Sequence, residues 1–471
     1  MALKLYNTMN RKKEEFVPLN GNKVNFYACG PTVYDYIHIG NARPLIMFDV
    51  FRRYLEYHDY EVNYIVNITD IDDKIIRRAD EEGVNFKAIA RKFTDAFLES
   101  SESLGVKPAT VHPRATDNID GMLELIQTLI TKGHAYDVDG DVYFDISSFK
   151  GYGKLSGRDI EQMQAGARVD VDTRKRNPLD FALWKSAKPN EPSWDSPWGP
   201  GRPGWHIECS VMSMKYGAET LDIHAGGQDL IFPHHENELA QSEGAYEKPL
   251  ARYWLHNGFL DIEGEKMSKS LGNFLTVKDI LKKYDPMAIR MFFLLKHYRS
   301  PIDFSEDRII EAAAALDRLK NAYRKMRRIL DKQGTPVSPS EDTVAEEIRT
   351  LKTGIEEAMD DDFNTARAMG YFFDMARVVN GLDESTSASQ VAIAEAIAVF
   401  DTLGTEVFGL VFETETVDDG LADDLMKLII ELRQNARAEK NWGMADAIRD
   451  GLKDIDITLE DRPDGTSWTR E

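Results

Sequence analysis

The sequence predicts a mixed α/β protein, in which a parallel-sheet domain with an inserted subdomain is followed by helical domains. Strand-like apolar runs alternate with segments of helical spacing up to about residue 305, and this alternation is typical of a parallel sheet. A hairpin signal interrupts the alternation and indicates the insertion. Beyond residue 305 the strand pattern stops and helical spacing continues, which predicts helical domains.

The first parallel unit is predicted near the N-terminus. Residues 24–29 form a strand-like run that ends in Gly30-Pro31, and residues 41–58 carry apolar side chains at helical spacing. A second strand-like run, residues 62–68, follows and ends in a polar loop. A strand, a helix and a strand in this order favour two parallel neighbouring strands.

The insertion is placed at about residues 112–200. Asp139-Gly140 lies between two short strand-like runs and predicts a hairpin. Residues 188–204 contain five prolines and three glycines, so we expect a long loop that is either disordered or a functional lid. The alternation then resumes with a helix at 206–216, a strand at 221–224, a helix at 234–243 and a strand at 252–256.

The chain divides into four predicted regions. Residues 1–305 form the parallel-sheet domain, and residues 306–342 contain a helix with seven basic and three acidic side chains (311–333) and then a linker. Residues 343–414 are predicted to be a helical bundle, and residues 415–471 a small C-terminal domain.

Composition excludes several classes of protein. The 58 Lys and Arg against 80 Asp and Glu give a net charge of -22, which argues against a protein that attracts polyanions indiscriminately. No apolar run approaches the roughly 18 residues of a membrane helix, and the N-terminus lacks the features of a signal peptide. We therefore expect a cytoplasmic protein with no membrane partner. Its two cysteines, Cys29 and Cys209, are too few for a disulfide framework, and buried inert thiols are the default expectation.

Two short motifs could bind phosphate groups. His38-Ile39-Gly40-Asn41 lies at the predicted start of the first helix, where unpaired N–H groups and a glycine suit a phosphate, although a turn histidine beside an ordinary glycine is the simpler explanation. The segment 266–270 holds Lys266 and Lys269 on a loop flanked by glycines. Two lysines on a closing loop suit the charge that develops on departing phosphates, whereas a solvated loop is the alternative.

The two motifs together resemble the ATP-binding signatures of the class I aminoacyl-tRNA synthetases. They occur in the order and on the elements that this family uses. The first signature departs from the family pattern at its fourth position, where Asn41 stands in place of a histidine. An asparagine keeps a hydrogen-bond donor but cannot become a cation.

Four side chains form a candidate metal-binding set. Cys29 ends the first strand, Cys209 lies in a predicted helix, and His234 and Glu238 are four residues apart, so they share one helix face. Two thiolates, an imidazole and a carboxylate suit zinc. Spacing alone leaves zinc and ordinary core cysteines about equally plausible.

The whole chain resembles the cysteinyl-tRNA synthetases within class I. Segments 27–35, 67–74, 201–210 and 232–238 carry the resemblance beside the two signatures. It implies a Rossmann-like catalytic domain with an inserted subdomain, and one Zn²⁺ on Cys29, Cys209, His234 and Glu238. Zinc prefers a thiolate to a hydroxyl, so it would select cysteine over serine without an editing site.

The resemblance also implies the remaining site residues. Gly30, Thr69, Trp205 and Asp229 would bind cysteine, and His206 and His235 would lie beside the metal or the substrate. ATP, accompanied by Mg²⁺, would contact the residues of both signatures and one glycine-rich turn: His38, Gly40, Asn41, Gly226, Gly227, Asp229, Lys266 and Lys269. Of these, His38, Asn41, Lys266 and Lys269 would be catalytic.

The implied partners are cysteine tRNA, L-cysteine and ATP, and a monomer is expected. The basic helix would contact the inner side of the bent tRNA. The C-terminal domain would read the anticodon through arginines, an aromatic and an acid: Arg433, Arg437, Trp442, Asp446 and Arg449. Two alternatives stay open: a ligase that joins cysteine to a small amine, and an RNA-binding relative without catalysis.

Overall fold

The computed structural model describes residues 2–159, 174–262, 265–266, 275–333, 343–382, 387–413, 421–453, 457–462 and 465–470. The strands in these ranges are Lys4–Asn7 (β1), Lys12–Glu15 (β2), Lys23–Ala28 (β3), Glu61–Val66 (β4), Ala135–Val138 (β5), Asp141–Phe144 (β6), Phe181–Ser186 (β7), Gly201–Pro203 (β8), Leu221–Gly227 (β9), Ala251–Asn257 (β10), Leu260–Ile262 (β11), Glu265–Lys266 (β12), Ile302–Phe304 (β13), Ile457–Arg462 (β14) and Gly465–Arg470 (β15).

The α-helices are Ile39–Tyr57 (α1), Asp73–Glu82 (α2), Phe86–Ser103 (α3), Ile119–Thr131 (α4), Trp205–Tyr216 (α5), Glu236–Tyr246 (α6), Val277–Ile280 (α7), Pro286–Leu294 (α8), Glu306–Gln333 (α9), Thr343–Asp360 (α10), Thr365–Asn380 (α11), Ser387–Val399 (α12), Leu421–Ala438 (α13) and Trp442–Lys453 (α14). None of the described helices is long and apolar enough to cross a membrane.

A four-stranded parallel sheet forms the centre of the N-terminal part. Its strand order is β10-β9-β3-β4, and every neighbouring pair is parallel. Helix α1 connects β3 to β4, and its apolar face, which includes Ile46, Phe48 and Phe51, is buried. The predicted parallel unit is therefore confirmed, with boundaries that differ from the expected ones by one or two residues.

The inserted subdomain contains an antiparallel sheet of order β5-β6-β7-β8. The predicted hairpin is present, and both Asp139 and Gly140 adopt positive φ values (53° and 88°), as a tight two-residue turn requires. The expectation of a loop throughout 188–204 is wrong, because β8 lies in that segment. Trp194 also exchanges two backbone hydrogen bonds with Gly201, at 2.7 and 3.0 Å.

The helical bundle packs on the parallel-sheet part through the turn between α10 and α11. The buried Asp362 carboxylate accepts hydrogen bonds from the Tyr6 backbone N–H (2.8 Å), the Tyr298 hydroxyl (2.9 Å) and Arg299 (2.7 Å). The ring of the next residue, Phe363, stacks on Phe51 with centroids 4.0 Å apart. Residues 1–412 accordingly form one compact unit and residues 413–471 a second.

Several cations of the predicted basic helix are used within the molecule. Lys320 is buried and its ammonium lies 3.3 Å from an Asp285 oxygen. Lys325 donates to the Asn380 carbonyl at 3.1 Å, and Arg327 donates to the Tyr323 hydroxyl at 3.0 Å. These side chains stabilise the packing of α9, so they are poorer candidates for RNA contacts than the sequence suggested.

The second unit corrects the prediction that no strands follow residue 305. It contains α13 and α14 and a C-terminal antiparallel hairpin, in which β14 pairs with β15. The region after the catalytic domain is therefore mainly rather than wholly helical.

Arg43 connects α1 to two loops of the parallel-sheet part. It is 1% exposed, and its guanidinium donates to the carbonyls of Gly258 (2.7 Å), Phe259 (2.9 Å), His297 (3.1 Å) and Ser300 (2.6 Å). Burial lowers the pKa of Arg43 to about 10, which still leaves the side chain charged near neutral pH. The carbonyls of Gly258, Phe259 and His297 also accept from the Asn257 amide, the Ile302 N–H and the Ser300 N–H, respectively. Arg43 is the group that links the two loops to each other and to α1.

Replacing Arg43 tests this link. Arg43→Met removes four charge-assisted hydrogen bonds, one of which is the sole partner of the Ser300 carbonyl among the described residues, and we expect the free energy of unfolding to fall by about 3–5 kcal/mol. The matched control is Arg308→Met, because Arg308 is half exposed and donates to a single carbonyl, that of Asp303. Thermal unfolding followed by calorimetry should show a midpoint lower by at least roughly 5 °C for Arg43→Met and little change for the control. Equal midpoints for the two variants would contradict the assigned role.

Candidate active site and metal-donor cluster

A cavity of about 520 Å³ opens at the carboxyl ends of β3, β9 and β10, which is where ligands bind in open parallel sheets. Many of the predicted site residues line it. These are Cys29, Gly30, His38, Gly40, Asn41, Trp205, Gly227 and Asp229. The sheet therefore gathers residues that are up to 200 positions apart in sequence into one site.

The first signature forms the N-terminus of α1. His38 is the residue that precedes the helix, and the Asn41 amide oxygen accepts a hydrogen bond from the His38 backbone N–H at 3.2 Å. A hydrogen bond from the backbone N–H before the helix to the side chain three residues later is part of a capping box. It gives Asn41 a structural role that a histidine at this position would fill differently, and it leaves the amide NH₂ as a donor.

The segments on both sides of the second signature are anchored beside the first. On one side, Lys266 pairs with Asp261 of β11. On the other side, the Ile39 N–H donates to the Leu275 carbonyl (3.0 Å), and the Val277 N–H donates to the Ile37 carbonyl (2.9 Å). Residues 267–274, which include Lys269, lie outside the described residues, and of Lys266 only the backbone is described.

Two glycines shape the end of β9. A Cβ atom at Gly226 would lie 2.8 Å from the His235 ring, and one at Gly227 would lie 2.3 Å from an Asp229 carboxylate oxygen. Asp229 is exposed at the cavity and Gly226 is buried behind it. The absence of a side chain at Gly227 leaves space in the cavity beside Asp229, whereas glycine at position 226 allows the buried His235 ring to pack against β9.

The predicted cysteine-binding residues lie at two depths. Trp205 is 39% exposed and stacks on His234, with ring centroids 4.3 Å apart. Gly30 must be glycine, because a Cβ there would lie 1.8 Å from the Asn67 carbonyl oxygen. Thr69 is buried behind the cavity, and its hydroxyl donates to the Glu208 carboxylate at 2.8 Å. Burial and the neighbouring Cys209 raise the pKa of Glu208 well above its usual range.

Beneath the cavity the described residues offer two overlapping sets of metal donors, each with its atoms within 4.8 Å of one another. The two-thiol set is Cys29, Cys209, His234 and Glu238, as the sequence predicted. The two-histidine set replaces Cys209 and His234 by His224 and His235. Both sets share Cys29, which reaches the cavity, and Glu238, which is fully buried.

The spacing of the two thiols fits a tetrahedral zinc ion. The sulfur atoms of Cys29 and Cys209 are 3.9 Å apart, too far for a disulfide, and both cysteines are free. Two sulfurs bound tetrahedrally at about 2.3 Å from zinc are separated by about 3.8 Å. The second ring nitrogen of His234 lies 2.9 Å from His206, which is the kind of contact that orients a metal-binding imidazole.

Charges in the cluster also suit a cation. The Glu238 oxygens lie 2.9 Å from His234 and 3.0 Å from His224, yet Oε2 of Glu238 has no hydrogen bond of good geometry among the described residues. Burial opposes the ionisation of Glu238, but the two histidines outweigh it and hold its pKa well below the usual range. A hydrogen bond from Cys29 lowers the pKa of Cys209 to about 6, so one thiolate forms readily.

Comparison with known proteins agrees with this geometry. Residues 15–314 match the model for the class I tRNA synthetase (C) catalytic domain, and residues 354–413 match the DALR domain. A cysteine–tRNA ligase of Heliobacterium modesticaldum is 51% identical over 481 residues, and the match covers both chains completely. One from Geobacillus thermodenitrificans is 50% identical over 469 residues, covering 100% of this chain and 99% of the relative.

The chain belongs to the cysteinyl-tRNA synthetase family. It is thus an aminoacyl-tRNA ligase. Solved structures of more distant synthetases share the fold alone. Methionyl-tRNA synthetase of Mycobacterium tuberculosis, in complex with methionyl-adenylate, has a TM-score of 0.61 at 16% identity, over 82% of this chain and 92% of that one. A leucyl-tRNA synthetase of Agrobacterium radiobacter has a TM-score of 0.62 at 12% identity, over 83% and 85%.

The predicted anticodon-reading residues of this family member all lie on α13 and α14 of the second unit. Trp442 is 57% exposed, and Arg437, Asp446 and Arg449 are also exposed. Arg433 is buried, at 7% exposure, so its side chain is less accessible to a base than the sequence suggested.

Sequence reasoning missed two features of the site. His224 was not expected as a donor, although a histidine in the apolar strand 221–225 is an unusual residue that needs a partner. Glu208 was not expected to hold Thr69. Glu208 lies one residue before Cys209, and this position indicates a role in the site only when it is known which face of α5 points toward the site.

The two donor sets make different predictions for single substitutions. We expect the two-thiol set to hold the ion in this synthetase, because two sulfurs suit zinc better than one. Cys209→Ser should therefore reduce bound zinc from about one per chain to less than roughly a tenth. His224→Gln, the matched control from the other set, should keep most of the zinc.

Metal analysis and cobalt substitution would distinguish the sets. In the cobalt-loaded protein, two thiolates give about twice the thiolate-to-metal absorption of one, so the wild-type signal should exceed that of Cys209→Ser even at saturating cobalt. Full zinc and unchanged absorption in Cys209→Ser, with loss in His224→Gln, would assign the ion to the two-histidine set.

Proposed function

We propose that the protein is a cysteine–tRNA ligase that uses ATP to attach L-cysteine to the 3′-terminal adenosine of cysteine tRNA, with one zinc ion per chain. The observation that carries the proposal is the position of Cys29. It belongs to the metal-donor cluster and also lines the cavity that holds the first ATP signature. A substrate thiol can therefore meet the donors while its carboxylate faces the phosphate-binding end.

In the proposed first step the cysteine carboxylate attacks the α-phosphorus of ATP, and pyrophosphate leaves to give cysteinyl-adenylate. None of the assigned side chains acts as a nucleophile, so the protein contributes by positioning and by stabilising charge. The start of α1, with His38, Gly40 and Asn41, offers N–H donors and partial positive charge to the phosphates. Lys266 and Lys269 neutralise the departing pyrophosphate, and Mg²⁺ accompanies ATP.

In this proposal the groups at the bottom of the cavity select cysteine. When bound by the two-thiol set, zinc supplies a soft cation that takes a thiolate in preference to a hydroxyl. Trp205 covers the substrate, Gly30 allows the backbone to approach closely, and Glu208 holds Thr69 in place. Asp229 accepts hydrogen bonds from the substrate ammonium or from the ribose.

In the proposed second step a ribose hydroxyl of the terminal adenosine attacks the activated carbonyl, and AMP leaves. The class I architecture favours the 2′-hydroxyl. The DALR match at 354–413 supports a tRNA acceptor and speaks against a ligase with a small amine acceptor. A non-catalytic RNA-binding role fits poorly with the donor cluster and with the capped first signature.

Exchange of pyrophosphate into ATP, measured with each of the twenty standard amino acids, tests the first step. We expect exchange with cysteine only, and with serine at a level lower by at least roughly 10⁴-fold, because the metal discriminates between sulfur and oxygen. Zinc content is measured on the same sample. Exchange of similar rate with serine, or none with cysteine in the zinc-loaded protein, would refute the proposal.

The anticodon role of the second unit is tested by ending the chain at residue 413, where the first unit is complete. Exchange should stay within about twofold, whereas charging of cysteine tRNA should lose at least roughly tenfold in kcat/KM, since single-stranded bases lose their stacking and hydrogen-bonding partners. The double variant Arg437→Gln, Trp442→Ala in the full chain should also lower kcat/KM for charging of cysteine tRNA and leave pyrophosphate exchange unchanged. Charging at the full rate by the shortened chain would exclude the role.

A further inference from the structure

A second cavity, of about 210 Å³, lies outside the candidate active site. It is formed between the first turns of α3 and the segment around residues 114–116. Three of the side chains that line it are basic, namely Lys87, Arg91 and Arg114, and we call it the basic cavity. No assigned step of the proposed reaction uses it.

The three cations form no close ion pair with the described residues, although the charge of Arg114 acts on Asp70 and opposes the rise that burial causes in the pKa of this carboxyl. Among the described residues none of them lies within ion-pair distance of an acid, whereas nearby cations do: Arg77 is 3.9 Å from Glu81 and Lys92 is 3.4 Å from Glu82. In a chain with a net charge of -22, cations that remain unpaired side by side are unusual. Because all three line one cavity, their positive charges add there and favour an anion.

The one carboxylate of the basic cavity is already satisfied. The buried Asp70 accepts hydrogen bonds from the Thr116 N–H (2.9 Å) and from the Thr116 hydroxyl (2.6 Å). Against three cations this single acid leaves an excess of positive charge, and the start of α3 adds partial positive charge to it.

The basic cavity lies directly behind the wall of the active site. Asp70 follows Thr69, whose backbone is hydrogen-bonded to residues that line the active-site cavity: its N–H donates to the Pro31 carbonyl, and its carbonyl accepts from Val33 next to Thr32. The backbone of Thr69 and Asp70 thus separates the two cavities, so a group bound in the basic cavity would lie close to an RNA end in the active site. Arginine and lysine side chains at such a position are typical contacts of an RNA backbone.

We propose that the basic cavity binds a backbone phosphate of the acceptor arm of tRNA and so guides its 3′ end into the active site. This inference rests on the proposed function and adds a location for the acceptor arm. A locally positive site beside the active site also explains how an acidic protein admits RNA at this point, since long-range attraction does not help it.

The test uses full-length protein and an RNA minihelix that contains only the acceptor arm with its single-stranded 3′ end. The variant Lys87→Gln, Arg91→Gln, Arg114→Gln removes the three unpaired cations. The matched control is Arg77→Gln, Lys92→Gln, Lys107→Gln, which makes the same charge change with cations that are paired, Lys107 with Glu56 at 3.0 Å. Binding is measured by fluorescence anisotropy over a range of salt concentrations.

We expect the basic-cavity variant to bind the minihelix at least tenfold more weakly at low salt, and the control variant to stay within about twofold of wild type. The slope of log affinity against log salt should fall in magnitude by roughly 0.7–0.9, because one phosphate contact is lost. Cysteine-dependent pyrophosphate exchange should be unchanged in both variants, which also verifies that they fold.

Three results would overturn the inference: equal weakening in the two variants, unchanged minihelix affinity of the basic-cavity variant, or a raised KM for ATP in place of an RNA effect. Binding of inorganic phosphate at millimolar concentration that is lost in the basic-cavity variant, with unchanged minihelix affinity, would assign the basic cavity to a small anion instead. Failure of the proposed function has a different signature, because wild-type protein would then lack cysteine-dependent exchange whatever the minihelix result.

Discussion

The hydrogen bonds of Arg43 join the start of α1, which carries the first signature, to the loop that follows β10. Arg43 lies two residues after Asn41, and two of the carbonyls that it binds, those of Gly258 and Phe259, belong to the segment that leads into β11 and β12 and on to the second signature. One buried guanidinium therefore fixes the start of α1 relative to the segment that leads to the second signature. A lysine in its place could donate to at most three of the four carbonyls, because its ammonium carries three N–H groups on one nitrogen.

Local sequence patterns were sufficient for the elements that surround the site. The strand-helix-strand unit and the turn at Asp139-Gly140 follow from periodicity and from turn chemistry, which act over a few residues. Strand β8 and the C-terminal hairpin were missed. Gly201–Pro203 is short and contains glycine and proline, and residues 457–470 are too polar to show an apolar alternation, so pairing with a neighbouring strand determines their structure.

The sequence predicted one set of metal donors but not the second set that overlaps it. Cys29, Cys209, His234 and Glu238 were expected from resemblance, and the structure brings them together with His224 and His235 in an overlapping set. Only tertiary contacts could reveal the overlap, since His224 lies on a strand beside β3 and the other histidines lie at the start of a helix. The role of Asn41 was likewise invisible until the first turn of α1 placed its amide against the His38 backbone.

The turn at Asp362-Phe363 has a consequence for the modularity of the chain. Its carboxylate and its ring complete the interior of the N-terminal part, where Phe51, Tyr54 and Tyr298 would otherwise face water. A graft that exchanged only residues 343–413 for the bundle of another synthetase would leave this interior open unless the incoming turn carried an equivalent acid and aromatic ring. The two matched domains are thus separate in sequence but share one hydrophobic core, so a change on one side of this turn alters packing on the other.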